Sequence, residues 1–148
     1  MRAITIKSAL VSLAMMMTTG AVAASPILIH RDPGCGCCEK WAEQVRAQFG
    51  RPVRIVDDRS RAAFQRARDV PSRLSSCHTA VIDGLVFEGH VPVADMKRLL
   101  AQRPRGVSGL AVSGMPIGSP GMEVAGQRAQ PYVVMAFGSS GQRIFARH

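Results

Sequence analysis

Hydrophobic positions recur along this chain with two different periods, and the switches between them mark its elements. Ile27, Leu28 and Ile29 form a short apolar run suited to a buried strand. Asp32-Pro33-Gly34 then makes a turn. From Glu39 to Phe49 the period changes: Trp41, Val45 and Phe49 recur at every fourth position, which predicts an amphipathic helix closed by Gly50. Val53 to Val56 reads as a second strand. Ser60 is placed to cap a helix running to about Arg68, with Ala63, Phe64 and Ala67 on its inner face. Pro71 ends that pattern. Thr79 to Ile82 and Leu85 to Phe87 flank Asp83-Gly84, two apolar runs around a two-residue turn, and so predict a hairpin. Pro92 opens a third helix with Val93, Met96, Leu99 and Leu100 on one face.

Beyond that helix the pattern fades. Residues 106–126 are rich in Gly, Pro, Ser and Met and carry little of either period. So long an irregular segment within a small domain is usually functional or mobile. Tyr132 to Phe137 and Arg143 to Ala146, around residues 138–141, predict a second hairpin. Strand, helix, strand, helix, hairpin, helix is the element order of a thioredoxin-like domain. The predicted class is therefore α/β: a single thioredoxin-like domain, βαβα plus a β-hairpin and a helix. The irregular Gly/Pro/Met-rich loop and a C-terminal β-hairpin complete it. No internal repeat and no second domain are evident.

Residues 1–23 read as an export signal rather than as part of the fold. Arg2 and Lys7 form a basic start, Ala9 to Thr18 an apolar stretch, and Ala21-Val22-Ala23 an A-x-A cleavage site. The apolar stretch is short for a membrane span. Cleavage after Ala23 or Ala24 would leave a soluble domain, residues 24–148, in a bacterial periplasm with no stable membrane insertion. The formal charge is +9, from 19 basic and 10 acidic residues, and loss of Arg2 and Lys7 lowers it to +7. Arg59, Arg61, Arg66 and Arg68 are scattered among apolar residues rather than interleaved with aromatics, which argues against nucleic acid and for a solvated basic face.

Composition matters most at the four cysteines: Cys35-Gly36-Cys37-Cys38, and Cys77 followed by His78. Four cysteines in a small exported chain usually mean two disulfides. Clustering argues otherwise, because the adjacent Cys37 and Cys38 can pair only through a strained ring. The first cluster falls at a strand-to-helix junction, where helix N–H groups favour thiolate over thiol. That setting suits metal binding and thiol–disulfide exchange alike. In a thioredoxin-like arrangement Cys77-His78-Thr79 faces the first cluster, with His78 where thioredoxins carry a cis-proline that keeps metals out.

Thiolate-rich sites suit Cu(I), Zn(II) or iron–sulfur clusters. Iron–sulfur does not suit an exported chain without an assembly route. Structural zinc sites mostly take two separated ligand pairs. Three sulfurs from one tetrapeptide instead suit thiolates bridging more than one Cu(I) ion. Met115 and Met122, flanking residues 116–121, add thioethers that prefer Cu(I), with loop packing as the plain alternative. His78 and His90 are further candidate ligands. His30, at the end of the first strand, is a candidate for tuning the thiolates; His148 is expected to be solvent-exposed. The rival chemistry is a thiol–disulfide oxidoreductase, copper-coupled or not, with Cys35 attacking and Cys38 resolving.

Longer strings sharpen the choice. C-G-C-C-x-K-W (Cys35 to Trp41), S-C-H-T-A-V-I-D-G-x-V-x-E-G-H-V-P (Ser76 to Pro92), G-L-A-V-x-G-M-P-x-G-S-P-G-M-E (Gly109 to Glu123) and the closing F-A-R-H resemble the CopG-type metal-binding proteins of bacterial copper-resistance clusters. The resemblance spans essentially all of residues 24–148. It implies an exported, thioredoxin-like protein that handles Cu(I) through Cys35, Cys37, Cys38 and Cys77 with histidine help nearby. It also implies work alongside other periplasmic copper-handling proteins.

Overall fold

The computed structural model describes residues 25–148, so the expected export signal lies outside the described residues. Chain order runs β1 (Ile27–Arg31), α1 (Gly36–Phe49), β2 (Val53–Asp57), α2 (Arg61–Ala67), a 3-10 turn (Ser72–Leu74), β3 (His78–Ile82) and β4 (Leu85–Glu88). Then follow α3 (Val93–Gln102), β5 (Gly109–Ala111), β6 (Val133–Gly138) and β7 (Gly141–Arg147). The fold is mixed α/β, as the sequence predicts, with one seven-stranded sheet in the order β2-β1-β3-β4-β5-β6-β7. β1 pairs with β2 in parallel and with β3 antiparallel, which places it between them. Among the described residues no helix is long and apolar enough to cross a membrane.

Burial follows the predicted faces over most of the chain. Ile27 and Ile29 alternate with half-exposed neighbours on β1 and are themselves fully buried. Trp41, Ala42 and Val45 of α1, and Val93, Met96 and Leu99 of α3, close over the same core. The Asp83-Gly84 turn has positive φ at both residues, 48° and 83°, the geometry that lets a two-residue hairpin follow the strand twist. Glycine is at home there and aspartate tolerates it.

Several expectations need correcting. The buried residues of α2 are Arg61 and Gln65, not Ala63 and Ala67, which are exposed; Phe64 is half-buried against His30. The helix lies over a buried carboxylate, Glu88, so its inner face is polar. Ser60 makes no side-chain cap; it donates to Asp58 instead. Residues 109–111 of the supposedly irregular stretch form β5, parallel to β4 and antiparallel to β6. His148 is exposed, as expected, and its Nε2 lies 2.7 Å from Asp95 Oδ2 while its ring stacks on Tyr132.

Candidate metal centre

Two loops bring the cysteines together. β1 ends at Arg31, and the Asp32–Gly34 turn delivers Cys35 to the N-cap of α1, with Cys37 and Cys38 in its first turn. Arg31, buried under the turn, donates to the Cys35 carbonyl at 3.0 Å and pairs with Asp57 and Glu39. Cys77 arrives immediately before β3, and its carbonyl accepts the Asp32 N–H at 3.0 Å. The register of β1 against β3, Arg31 opposite His78, therefore sets the two loops side by side.

The sulfurs form one compact patch. Cys35 and Cys38 are joined in a disulfide, while Cys37 and Cys77 are free. Cys37 Sγ lies 3.3 Å from Cys35 Sγ, and Cys77 Sγ lies 3.4 Å from Cys38 Sγ. All four sulfurs fall within 4.8 Å of one another, a spread able to hold metal. Depth varies across the patch: Cys35 and Cys37 are half-exposed, Cys38 and Cys77 buried. Met115, exposed, covers the outer side with its Sδ 3.9 Å from Cys37 Sγ.

Two histidines line the inner side, both fully buried. His90 Nε2 is 3.2 Å and His78 Nδ1 3.4 Å from Cys77 Sγ, and these three residues also meet the spacing for a shared ion. His90 Nδ1 lies 2.8 Å from the Pro120 carbonyl, which can only accept. The ring proton therefore sits on Nδ1, and Nε2 presents its lone pair towards Cys77. Burial lowers the pKa of both imidazoles, His78 well below its ordinary value, so both are neutral and free to ligate. His78 Nε2 has no partner among the described residues. Burial also pushes the Cys77 thiol up to about 12, with the charge of Cys37 as the next cause. Soft sulfur and neutral imidazole donors, one of them orphaned, are a donor set that fits copper.

The loop after β5 closes the site. Gly121 has φ +85°, and a Cβ there would sit 2.7 Å from the Cys37 carbonyl and 2.9 Å from the Trp41 amide nitrogen. Only glycine lets the Pro120–Met122 turn lie flat on α1. Gly121→Ala is expected to lower stability by about 1–3 kcal/mol, measured by urea unfolding. An unchanged midpoint would mean that the loop does not rest on the helix.

Two solved structures, named copper resistance protein copG in forms 1 and 2, are 40% and 39% identical to this chain. Each covers 84% of it, the match takes in 98% and 99% of their own chains, and the TM-scores are 0.76 and 0.75. The chain belongs to the CopG copper-resistance family. A family model described as a protein of unknown function, DUF411, matches residues 74–122, the stretch that carries Cys77, His78, His90, Met115 and Met122. No curated protein matches the chain.

For this CopG family member, a copper-related role and a cysteine cluster able to hold metal both stand. The structure gathers Cys35, Cys37, Cys38, Cys77, His78, His90 and Met115. Met122 instead lines a cleft of about 450 Å³ beside Cys37, with Glu39, Glu43 and Glu123 at its sides. His30 turns away from the thiols to Asp58, 2.8 Å from its Nδ1, and stacks on Phe64. Sequence reasoning missed Glu88, Arg61 and the Pro120 carbonyl. A carboxylate ending an apolar run (Leu85-Val86-Phe87-Glu88) was the one available signal for Glu88. The backbone carbonyl had none.

Proposed function

We propose that this protein is exported to the periplasm as residues 24–148, a thioredoxin-like domain, and there binds Cu(I) for copper resistance. Reduction of the Cys35–Cys38 bond, two electrons and two protons from a thiol reductant, frees two thiols, which with Cys37 and Cys77 make four within bridging distance. The observation that carries this reading is the convergence of those four sulfurs within 4.8 Å in a member of a copper-resistance family. Cys35, Cys37, Cys38 and Cys77 would hold more than one Cu(I) ion, with His78 and His90 completing the shell from the inner side. Met115 supplies a thioether on the outer side, and Met122 a second one along the cleft. Soft thiolate and thioether donors favour Cu(I) over harder cations. The cargo passes to or from other periplasmic copper-handling proteins; nucleic acid plays no part.

The test is an anaerobic Cu(I) titration of the reduced protein against a competing chelator, with Zn(II) as control. Two or more tightly bound Cu(I) ions with weak zinc binding are expected, and Cys37→Ser should sharply reduce the copper stoichiometry. Unchanged stoichiometry in that variant would sink the assignment of ligands; weak Cu(I) binding by the wild type would sink the reading itself.

One observation favours a second reading, thiol–disulfide exchange: Cys35 and Cys38 are the two cysteines already bonded. In the reduced protein the Cys35 thiolate would attack a substrate disulfide and expel one substrate thiolate. Cys38 would then displace the other and restore the Cys35–Cys38 bond. Turnover that Cys35→Ser abolishes and Cys37→Ser spares would favour this chemistry.

A further inference from the structure

The sulfur patch is assembled from two loops that the β1–β3 register sets side by side. A buried polar group behind it ties the same two loops a second time. Glu88, at the end of β4, is fully buried. Its Oε1 accepts from Gln65 Nε2 at 2.5 Å, the Ser76 N–H at 2.7 Å and Arg61 Nη1 at 3.4 Å, and its Oε2 from Thr79 Oγ1 at 2.5 Å. Arg61, itself buried, reaches the other way: Nε and Nη2 donate to the two Asp32 carboxylate oxygens at 2.8 and 3.2 Å. Asp32 accepts the Cys35 N–H on its backbone carbonyl at 3.2 Å and donates its own N–H to the Cys77 carbonyl. A continuous hydrogen-bonded path thus runs from Cys35 through Asp32, Arg61 and Glu88 to Ser76, the neighbour of Cys77.

A buried carboxylate–guanidinium network is a poor way to gain stability, because apolar residues of similar volume usually do as well or better. What it supplies is direction. The forked guanidinium holds Asp32 in one orientation, and a carboxylate with four donors holds the Ser76 amide in one place. Helix α2, short and with a polar inner face, is the bracket that carries Arg61 and Gln65 into position.

We propose that Glu88 and Arg61 are positioning residues, a clamp that holds the Asp32–Cys35 turn and the Ser76–Cys77 turn at the separation the sulfur site requires. The clamp rests on the copper reading only for what that separation serves; its test needs no metal. In a Cys35→Ser, Cys37→Ser background only Cys38 and Cys77 remain, with their sulfurs 3.4 Å apart. Diamide takes two electrons and two protons from this pair, and the rate of Cys38–Cys77 bond formation reports how closely the loops are held.

Glu88→Gln and Arg61→Lys are each expected to slow that rate at least tenfold. Leu99→Ala, a core truncation on α3 away from the clamp, should lower thermal stability yet leave the rate within twofold. Arg61→Lys keeps the charge and loses only the fork, so it decides the matter if Glu88→Gln does not fold. Parental rates in the clamp variants, equal slowing by Leu99→Ala, or no bond formation in the parent would each overturn the proposal. A wild type that fails to bind Cu(I) would fell the metal reading and leave this rate comparison standing.

Discussion

Trp41→Ala is expected to remove about 3–5 kcal/mol of folding free energy, as large-to-small changes at fully buried aromatics do. Domains of this size hold only about 5–15 kcal/mol in total, so the variant should sit near the edge of folding. The indole is fully buried under the first turns of α1. Its Nε1 donates to the Val91 carbonyl at 2.9 Å, and its ring lies 4.4 Å from that of His78. One side chain therefore joins the hydrophobic core to the floor of the sulfur site. Trp41→Phe keeps most of the packing and leaves the Val91 carbonyl without its donor, for an expected loss of about 1–3 kcal/mol. Urea unfolding of both variants checks the pair. A loss below about 1 kcal/mol in the alanine variant would mean that the core closes without the indole.

The second large effect concerns the two free thiols. Burial raises the Cys77 thiol from 9.0 to about 12. The thiol therefore carries far less thiolate than an ordinary cysteine does near pH 8. The thiol stays protonated below about 12, and its thiolate fraction grows with rising pH up to there. Cys37 is half-exposed beside the open cleft. Brief iodoacetamide treatment of the native, disulfide-bonded protein should therefore place one carbamidomethyl group on Cys37 and leave Cys77 bare. Peptide mass mapping after an acid quench reads this directly, and guanidinium should abolish the selectivity. Equal labelling of the two in the native state would show that the Cys77 pocket opens to solvent.

Both results depend on features of unequal legibility in the sequence. The β1 run, the α1 period and the Asp83-Gly84 hairpin were readable because each has its own local signature, and the backbone obeyed it. Those same signals placed Cys35, Cys37 and Cys38 at a helix start, and the likeness to a thioredoxin-like arrangement implied Cys77 beside them. The α2 face was misread because Ala63 and Ala67 look apolar, whereas partner chemistry decided the matter. A buried Glu88 makes Arg61 and Gln65 the residues worth turning inward. β5 was hidden by its length of three residues and its opening glycine, and exists through pairing on both sides with β4 and β6. His148 is exposed, as a chain end usually is, yet it is held by Asp95, more than fifty positions earlier, a partner that no local pattern announces. Non-local partners of this kind leave no periodic trace.

The segment between β5 and β6 has both ends sewn into neighbouring strands, with Leu110 opposite Ala136. Its N-terminal part, through Met122, lies against the sulfur patch, while residues 123–130 face solvent. Ring-closure entropy rises only by about 0.6 kcal/mol for each doubling of loop length. Within the outer stretch, Glu123 and Gln130 bond back to Gly121 and Ile117, so residues 124–128 are where the chain can gain or lose residues cheaply without unstitching the sheet or disturbing the turn that seats Pro120 over His90. Change of that kind offers a way to alter what the outer rim of the site presents to its surroundings while the donor atoms stay where they are.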